Sequence, residues 1–199
     1  MVMKKMILSA AAVAALFAAG TTVASAQEFT WGPKGGLNVS GMSKVGMDRK
    51  AAFTAGLFGE LRTNDWFALS AEALYSRQGA ADNWHDDFLD VKVKNRIVSH
   101  YLNVPVLANF YVTENLALKT GVQAGFCLGA NEVTKVGDTK YRDNVTDAFH
   151  TAELSIPVGI SYNVGPVVLD ARYNFGVTHA MKDYDARNNV FQLTAGLRF

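Results

Sequence analysis

The last eleven residues alternate without a break. Phe191, Leu193, Ala195, Leu197 and Phe199 fall on one parity, and Gln192, Thr194, Gly196 and Arg198 on the other. Successive side chains of a β-strand point to opposite faces, so this segment reads as a strand with one apolar and one polar face. The same alternation recurs upstream, and the chain reads as all-β.

The N-terminus has a different character. Lys4 and Lys5 form a positive region, Met6 to Gly20 is apolar, and Ala24-Ser25-Ala26 is a small-residue cleavage site. This pattern predicts a signal peptide over 1–26 and a mature chain from Gln27; a retained membrane anchor is the alternative. Gln27, not cysteine, stands directly after the cleavage site, which argues against a lipoprotein. Beyond Ala26 no stretch reaches the ~18 apolar residues of a membrane helix. If the mature chain enters a membrane it must do so as a closed barrel, because lipid leaves no partner for an unpaired N–H or C=O. The whole chain has 19 basic and 18 acidic residues; without Lys4 and Lys5 the balance is −1. Such a balance gives no reason to expect nucleic acid. Cys127 stands alone and forms no internal disulfide, so it reads as a small barrel side chain. Residues 27–199 suit one domain.

Alternating stretches predict eight strands near 29–38, 53–62, 66–76, 98–111, 116–127, 150–162, 167–178 and 189–199. The connections also alternate. Thr63-Asn64-Asp65, Thr113-Glu114-Asn115 and Asn163-Val164-Gly165-Pro166 are tight turns. The intervening connections, about 39–52, 77–97, 128–149 and 179–188, read as long loops. Short turns on one side and long loops on the other describe an eight-stranded antiparallel up-and-down transmembrane β-barrel.

Alternation does not say which face meets lipid, since a soluble ligand-carrying barrel turns its apolar face inward. Three details favour apolar-out. Phe29, Trp31, Phe67, Phe110, Tyr162 and Phe199 would ring one end, and Phe53, Tyr75, Phe126, Phe175 and Phe191 the other, with an aliphatic band between. Glycines 32, 36, 56, 121, 125, 159, 176 and 196 share the polar parity, where an eight-stranded interior is most crowded. Finally, Lys34, Arg62, Lys119, Arg172 and Arg198 share that parity with Glu60, Glu72, Glu153 and Asp170. Charges in so narrow a space must be paired, which predicts a plug of salt bridges and not an open pore. Pro105 and Pro157 fall inside predicted strands, where a missing N–H calls for a bulge or a displaced ladder.

With the strands laid out, the chain resembles the PorT-like outer-membrane β-barrel family common in Bacteroidota. The residues that carry this are Gly35-Gly36-Leu37-Asn38, Ala55-Gly56-Leu57-Phe58, Ala71-Glu72-Ala73-Leu74-Tyr75-Ser76 with Gly79, Tyr101-Leu102-Asn103-Val104-Pro105 and Asp170-Ala171-Arg172-Tyr173-Asn174-Phe175-Gly176. The resemblance implies a barrel in the cell outer membrane of a Gram-negative envelope, in contact with outer-membrane lipid and lipopolysaccharide. The family's namesake is linked to protein secretion across that membrane. The family brings no catalytic or ligand set, and it places a proline where Pro105 stands. The terminal strand resembles the one that the barrel assembly machinery reads in such proteins.

Candidates for chemistry are few. Ser99 adjoins His100, but strand neighbours face opposite ways, and His85, His100, His150 and His179 build no triad by spacing. Asp82-Asn83-Trp84-His85-Asp86-Asp87 concentrates hard ligands without the fixed spacing of a calcium loop. Segment 179–188, with Met181 and Tyr184 among charges, suits recognition of protein or polysaccharide, although a solvated loop with no partner has the same composition. Lys34, Glu60, Glu72, Asp170 and Arg172 read as a charge ladder filling the barrel, with an ion path as the other reading. The sequence assigns no catalytic, cofactor-binding or metal-binding residue and no cofactor. The expectation is a non-enzymatic barrel with a structural or surface-interaction role carried by its outer loops. Secretion accessory, small pore, lipid-modifying enzyme and soluble periplasmic carrier are the alternatives.

Overall fold

A computed structural model describes residues 28–42, 48–86, 91–136, 139–181 and 186–199; the expected signal peptide lies outside them. The strands are β1 (Glu28–Met42), β2 (Asp48–Arg62), β3 (Phe67–Asp86), β4 (Val91–Tyr111), β5 (Leu116–Val136), β6 (Thr139–Asn144), β7 (Ala152–Val164), β8 (Val167–Gly176) and β9 (Asn188–Leu197). Every neighbouring pair is antiparallel. The pairing of β9 with β1 and of β4 with β5 closes eight strands into a barrel, and β6 hangs from the outer end of β5.

Three turns lie at the end that holds Glu28 and Phe199. Two share one design: Asn64 Oδ1 accepts from the N–H groups of Trp66 and Phe67, and Thr113 Oγ1 accepts from those of Asn115 and Leu116. Such side chains mimic a backbone turn and close it locally. The third turn is Gly165-Pro166, with Gly165 at φ +56°, as a primed hairpin turn demands of its first central residue.

The faces are those that alternation predicted. Leu193 and Leu169 stand 48% and 46% exposed on the outer wall, whereas Glu72 and Arg172 are 1% and 2% exposed inside. This is the inverse of a soluble carrier and the signature of a wall solvated by lipid. The inward glycines answer to crowding: a Cβ on Gly36 would lie 2.0 Å from the Leu193 carbonyl oxygen of the neighbouring strand. Aromatic pairs mark both rims, Trp31 with Phe199 and Phe67 with Phe110 at the turn end, Phe53 with Tyr75 and Tyr173 with Phe175 at the other.

Two expectations need correction. Neither Pro105 nor Pro157 makes a bulge. The β3–β4 ladder passes from Ala71↔Val106 to Leu74↔Asn103, and the β5–β7 ladder from Thr120↔Val158 to Gln123↔Ser155, each in unchanged register. The ladder opens beside each proline and resumes. The register shifts lie elsewhere, between Arg49 and Thr54 and between His100 and Tyr101.

The long outer loops are also largely strand. β3, β4 and β5 run 20, 21 and 21 residues, about twice the 9–11 a crossing needs. Much of the expected loops 39–52, 77–97 and 128–149 is therefore β-sheet standing beyond the membrane. Above the outer rim lipid no longer demands one apolar face, so polar residues enter both faces, as in Arg77-Gln78 and Asp82-Asn83, and the alternation that flags a strand is interrupted.

Candidate functional site

The polar parity of four strands converges at mid-barrel on five charged side chains. Lys34 Nζ lies 2.8 Å from Glu72 Oε1 and 3.2 Å from Asp170 Oδ2. Lys119 Nζ lies 3.0 Å from the same Asp170 oxygen. Arg172 Nη2 lies 2.5 Å from Glu72 Oε2, and its Nε lies 3.9 Å from Asp170 Oδ1. All five side chains are buried. They come from β1, β3, β5 and β8, so the cluster ties together strands far apart in sequence. Each carboxylate holds two or more cations, which is how charge survives burial.

Of the nine lumen charges expected to pair, these five do. Glu60 accepts hydrogen bonds from Asn109 and Tyr111 at the turn end instead, so Lys119 takes its place in the expected constellation. Arg62 and Arg198 sit at the rim. Arg62 lies 4.1 Å over the Tyr111 ring and donates to the Asn64 and Asp65 carbonyls, and Arg198 donates to the Gly165 carbonyl. Glu153 accepts from Asn188, which also donates to Gln78. Amide and hydroxyl pairs fill the remaining layers: Asn38 with Ser76, Gln123 with Ser155, Asn174 with Gln192.

Above this polar column lies an apolar lid. Ile97, Tyr101, Cys127, Ala130 and Phe149 form a buried cluster, with Val145, Ala148 and Met181 packed against it. Phe149 follows a single 3-10 turn at Thr146–Ala148 and is 2% exposed. It bridges to Met181, and the His150 N–H donates to the Ala180 carbonyl, joining two connections across the barrel mouth. Sequence reasoning missed this lid. Its one signal is an apolar pair, Ala148-Phe149, at the end of an otherwise polar connection.

The lid makes a prediction about Cys127. Its thiol lies beneath Phe149, so a charged maleimide should leave the folded protein unlabelled. Phe149→Ala should open the mouth and speed labelling by about tenfold or more, because modification then follows local opening. Mass spectrometry of the native barrel reads the result.

Other candidates separate. Ser99 is buried toward the lumen, while His100 accepts or donates a 2.5 Å hydrogen bond with the Tyr75 hydroxyl on the outer wall; they share no site. Among the described residues no group of three His, Cys, Asp or Glu side chains could hold a metal ion. The side chains of the 82–87 acidic segment and residues 182–185 lie outside the described residues.

A closed eight-stranded barrel with a lipid-solvated wall and an ionic interior is an integral outer-membrane protein. The chain belongs to the outer membrane protein beta-barrel domain family, whose sequence pattern matches residues 25–182. Similar solved structures include Ail, the attachment invasion locus protein of Yersinia pestis, at 16% identity and a TM-score of 0.51, covering 86% of this chain and 99% of that one. Neisserial surface protein A is similar at 14% identity and a TM-score of 0.48, covering 88% and 100%. No curated protein matches the chain.

Proposed function

We propose that the protein is a non-conducting, non-enzymatic barrel that mounts an extended β-sheet at the cell surface for contact with protein or polysaccharide. The sealed lumen carries this reading. A five-charge network blocks the middle and the Phe149 lid closes the mouth, which leaves no open path for a solute along the axis. What remains for an outside partner is the sheet of β3 to β6. Its last strand is exposed along its whole length, with Lys140, Tyr141 and Arg142 at its centre. Residues 1–26 serve as the cleaved signal peptide in this reading, β9 as the strand offered to the assembly machinery, and lipopolysaccharide as the surrounding lipid.

The protein in planar bilayers should show no discrete current steps, and neither should Phe149→Ala, because the ionic layer lies below the lid. Steps of either protein would replace this reading with a small pore. A second reading, PorT-like service in secretion, draws on Asp170-Ala171-Arg172-Tyr173-Asn174-Phe175-Gly176, since that motif contributes two of the five central charges. Loss of secreted cargo in a deletion strain would favour it.

A further inference from the structure

One cluster of charge has no part in the lumen. Arg77 and His100 are direct partners in the β3–β4 register. Arg96 lies four residues further out on β4 and is exposed, and Lys50 of β2 is half-buried nearby. These groups are electrostatic neighbours: Lys50 feels the charges of Arg96 and Arg77, and His100 those of Arg77 and Lys50. Among the described residues no carboxylate acts on either. Register fixes Arg77 beside His100, and Lys50 approaches from the stretch where the β2–β3 ladder shifts; like charges so gathered repel one another, and a bound anion would relieve that repulsion.

The height of the cluster identifies the anion. His100 stacks on Tyr75 at 5.9 Å between ring centroids, and Tyr75 packs on Phe53 at 5.7 Å. These rings belong to the outer aromatic rim. From Phe67 at the lower rim to Tyr75 the strand climbs about 26 Å along its own axis, or about 20 Å across a membrane at the usual tilt. Arg77 is the next residue on that face, at the level of lipid headgroups. Arginine offers a planar fork that matches phosphate. With the Tyr75 hydroxyl donating to Nδ1, the imidazole proton sits on Nε2, which is left to donate.

We propose that Lys50, Arg77, Arg96 and His100 form a site for the phosphorylated headgroup of an outer-leaflet lipid, with Tyr75 and Phe53 packed against its acyl region. The site depends on the outer-membrane placement of the barrel and not on the recognition role of β6, so failure of that role leaves it standing.

The test uses the full mature barrel in phosphatidylcholine nanodiscs. These are doped with a bis-phosphorylated glucosamine-disaccharide lipid, or with its dephosphorylated form carrying the same chains. Native mass spectrometry counts retained lipid. The unaltered protein should keep the phosphorylated lipid and release the dephosphorylated one. Arg77→Gln with Arg96→Gln should lower retention about tenfold or more, as loss of charge-assisted bonds implies, whereas Lys135→Gln, exposed on the β5 arm of the β5–β6 hairpin, should not. Equal retention of both lipids, or an equal loss in the hairpin variant, would overturn the proposal. Displacement by inorganic phosphate at matched concentration would also overturn it, by assigning a free anion. If the double variant fails to fold, as read by heat-modifiable electrophoretic mobility, Arg96→Gln alone and the lipid pair on the unaltered protein decide the matter.

Discussion

Glu72→Ala is expected to cost the barrel about 3–5 kcal/mol, the range for removing one partner of a buried ion pair. Glu72 holds Lys34 with one oxygen and Arg172 with the other. Without it Lys34 keeps Asp170 at 3.2 Å, but Arg172 keeps only a 3.9 Å contact through Nε. A buried lysine can shed its proton; a guanidinium cannot. The penalty therefore stays with Arg172. Lys119→Met should cost much less, since Asp170 retains Lys34 and Arg172. A combined Lys34→Met, Glu72→Leu, Arg172→Met barrel should recover much of the loss, because it leaves Asp170 paired with Lys119 at 3.0 Å and exchanges the other three charges for apolar groups of similar size, which is often neutral. Urea titration of the refolded protein in vesicles, followed by tryptophan fluorescence, gives the three values. A cost for Glu72→Ala no greater than for Lys119→Met would mean that the five charges do not act as a network.

Leu193→Arg is the second large effect, at about 2–4 kcal/mol for a cation on the lipid face of a barrel near mid-membrane. Leu193 sits on β9 within the aliphatic band, between Phe191 and Phe199, opposite Leu37 of β1 and Ala171 of β8. Thr194→Arg, one residue on, meets a different obstacle. Thr194 is 6% exposed and lies between Gly36 and Asp170 in the ladders, so an arginine there collides with packed lumen and adds to its cations. The two variants separate by lipid dependence. The Leu193→Arg penalty should grow with bilayer thickness, and the Thr194→Arg penalty should not. Equal response of both to thickness would contradict the assigned faces.

The sequence foretold the barrel because lipid imposes a rule on every strand that crosses it. Period-two patterning through Leu193 and Thr194, aromatics at strand ends and glycines on the crowded parity are each local, and each survives in the one-dimensional record. The turns were legible for the same reason, since Asn64, Thr113 and Gly165 act within a few residues of themselves. The lumen was legible only in part. Parity put nine charges inside, but parity carries no height along the barrel, and height separates the five that pair from Glu60, Arg62, Glu153 and Arg198. The basic cluster was hidden for a related reason, because Lys50, Arg77 and Arg96 stand on three strands and meet only in the folded sheet.

What the sequence determined alone was the class of fold and the face turned to lipid, since both follow from alternation enforced residue by residue. What only the tertiary structure decided was everything set by how one strand slides against the next. That register lifted β3, β4 and β5 beyond the membrane where no hydrocarbon patterns them. It also brought Lys34, Glu72, Lys119, Asp170 and Arg172 to one level, and it set Phe149 over the mouth through a connection whose residues find their partners only in three dimensions.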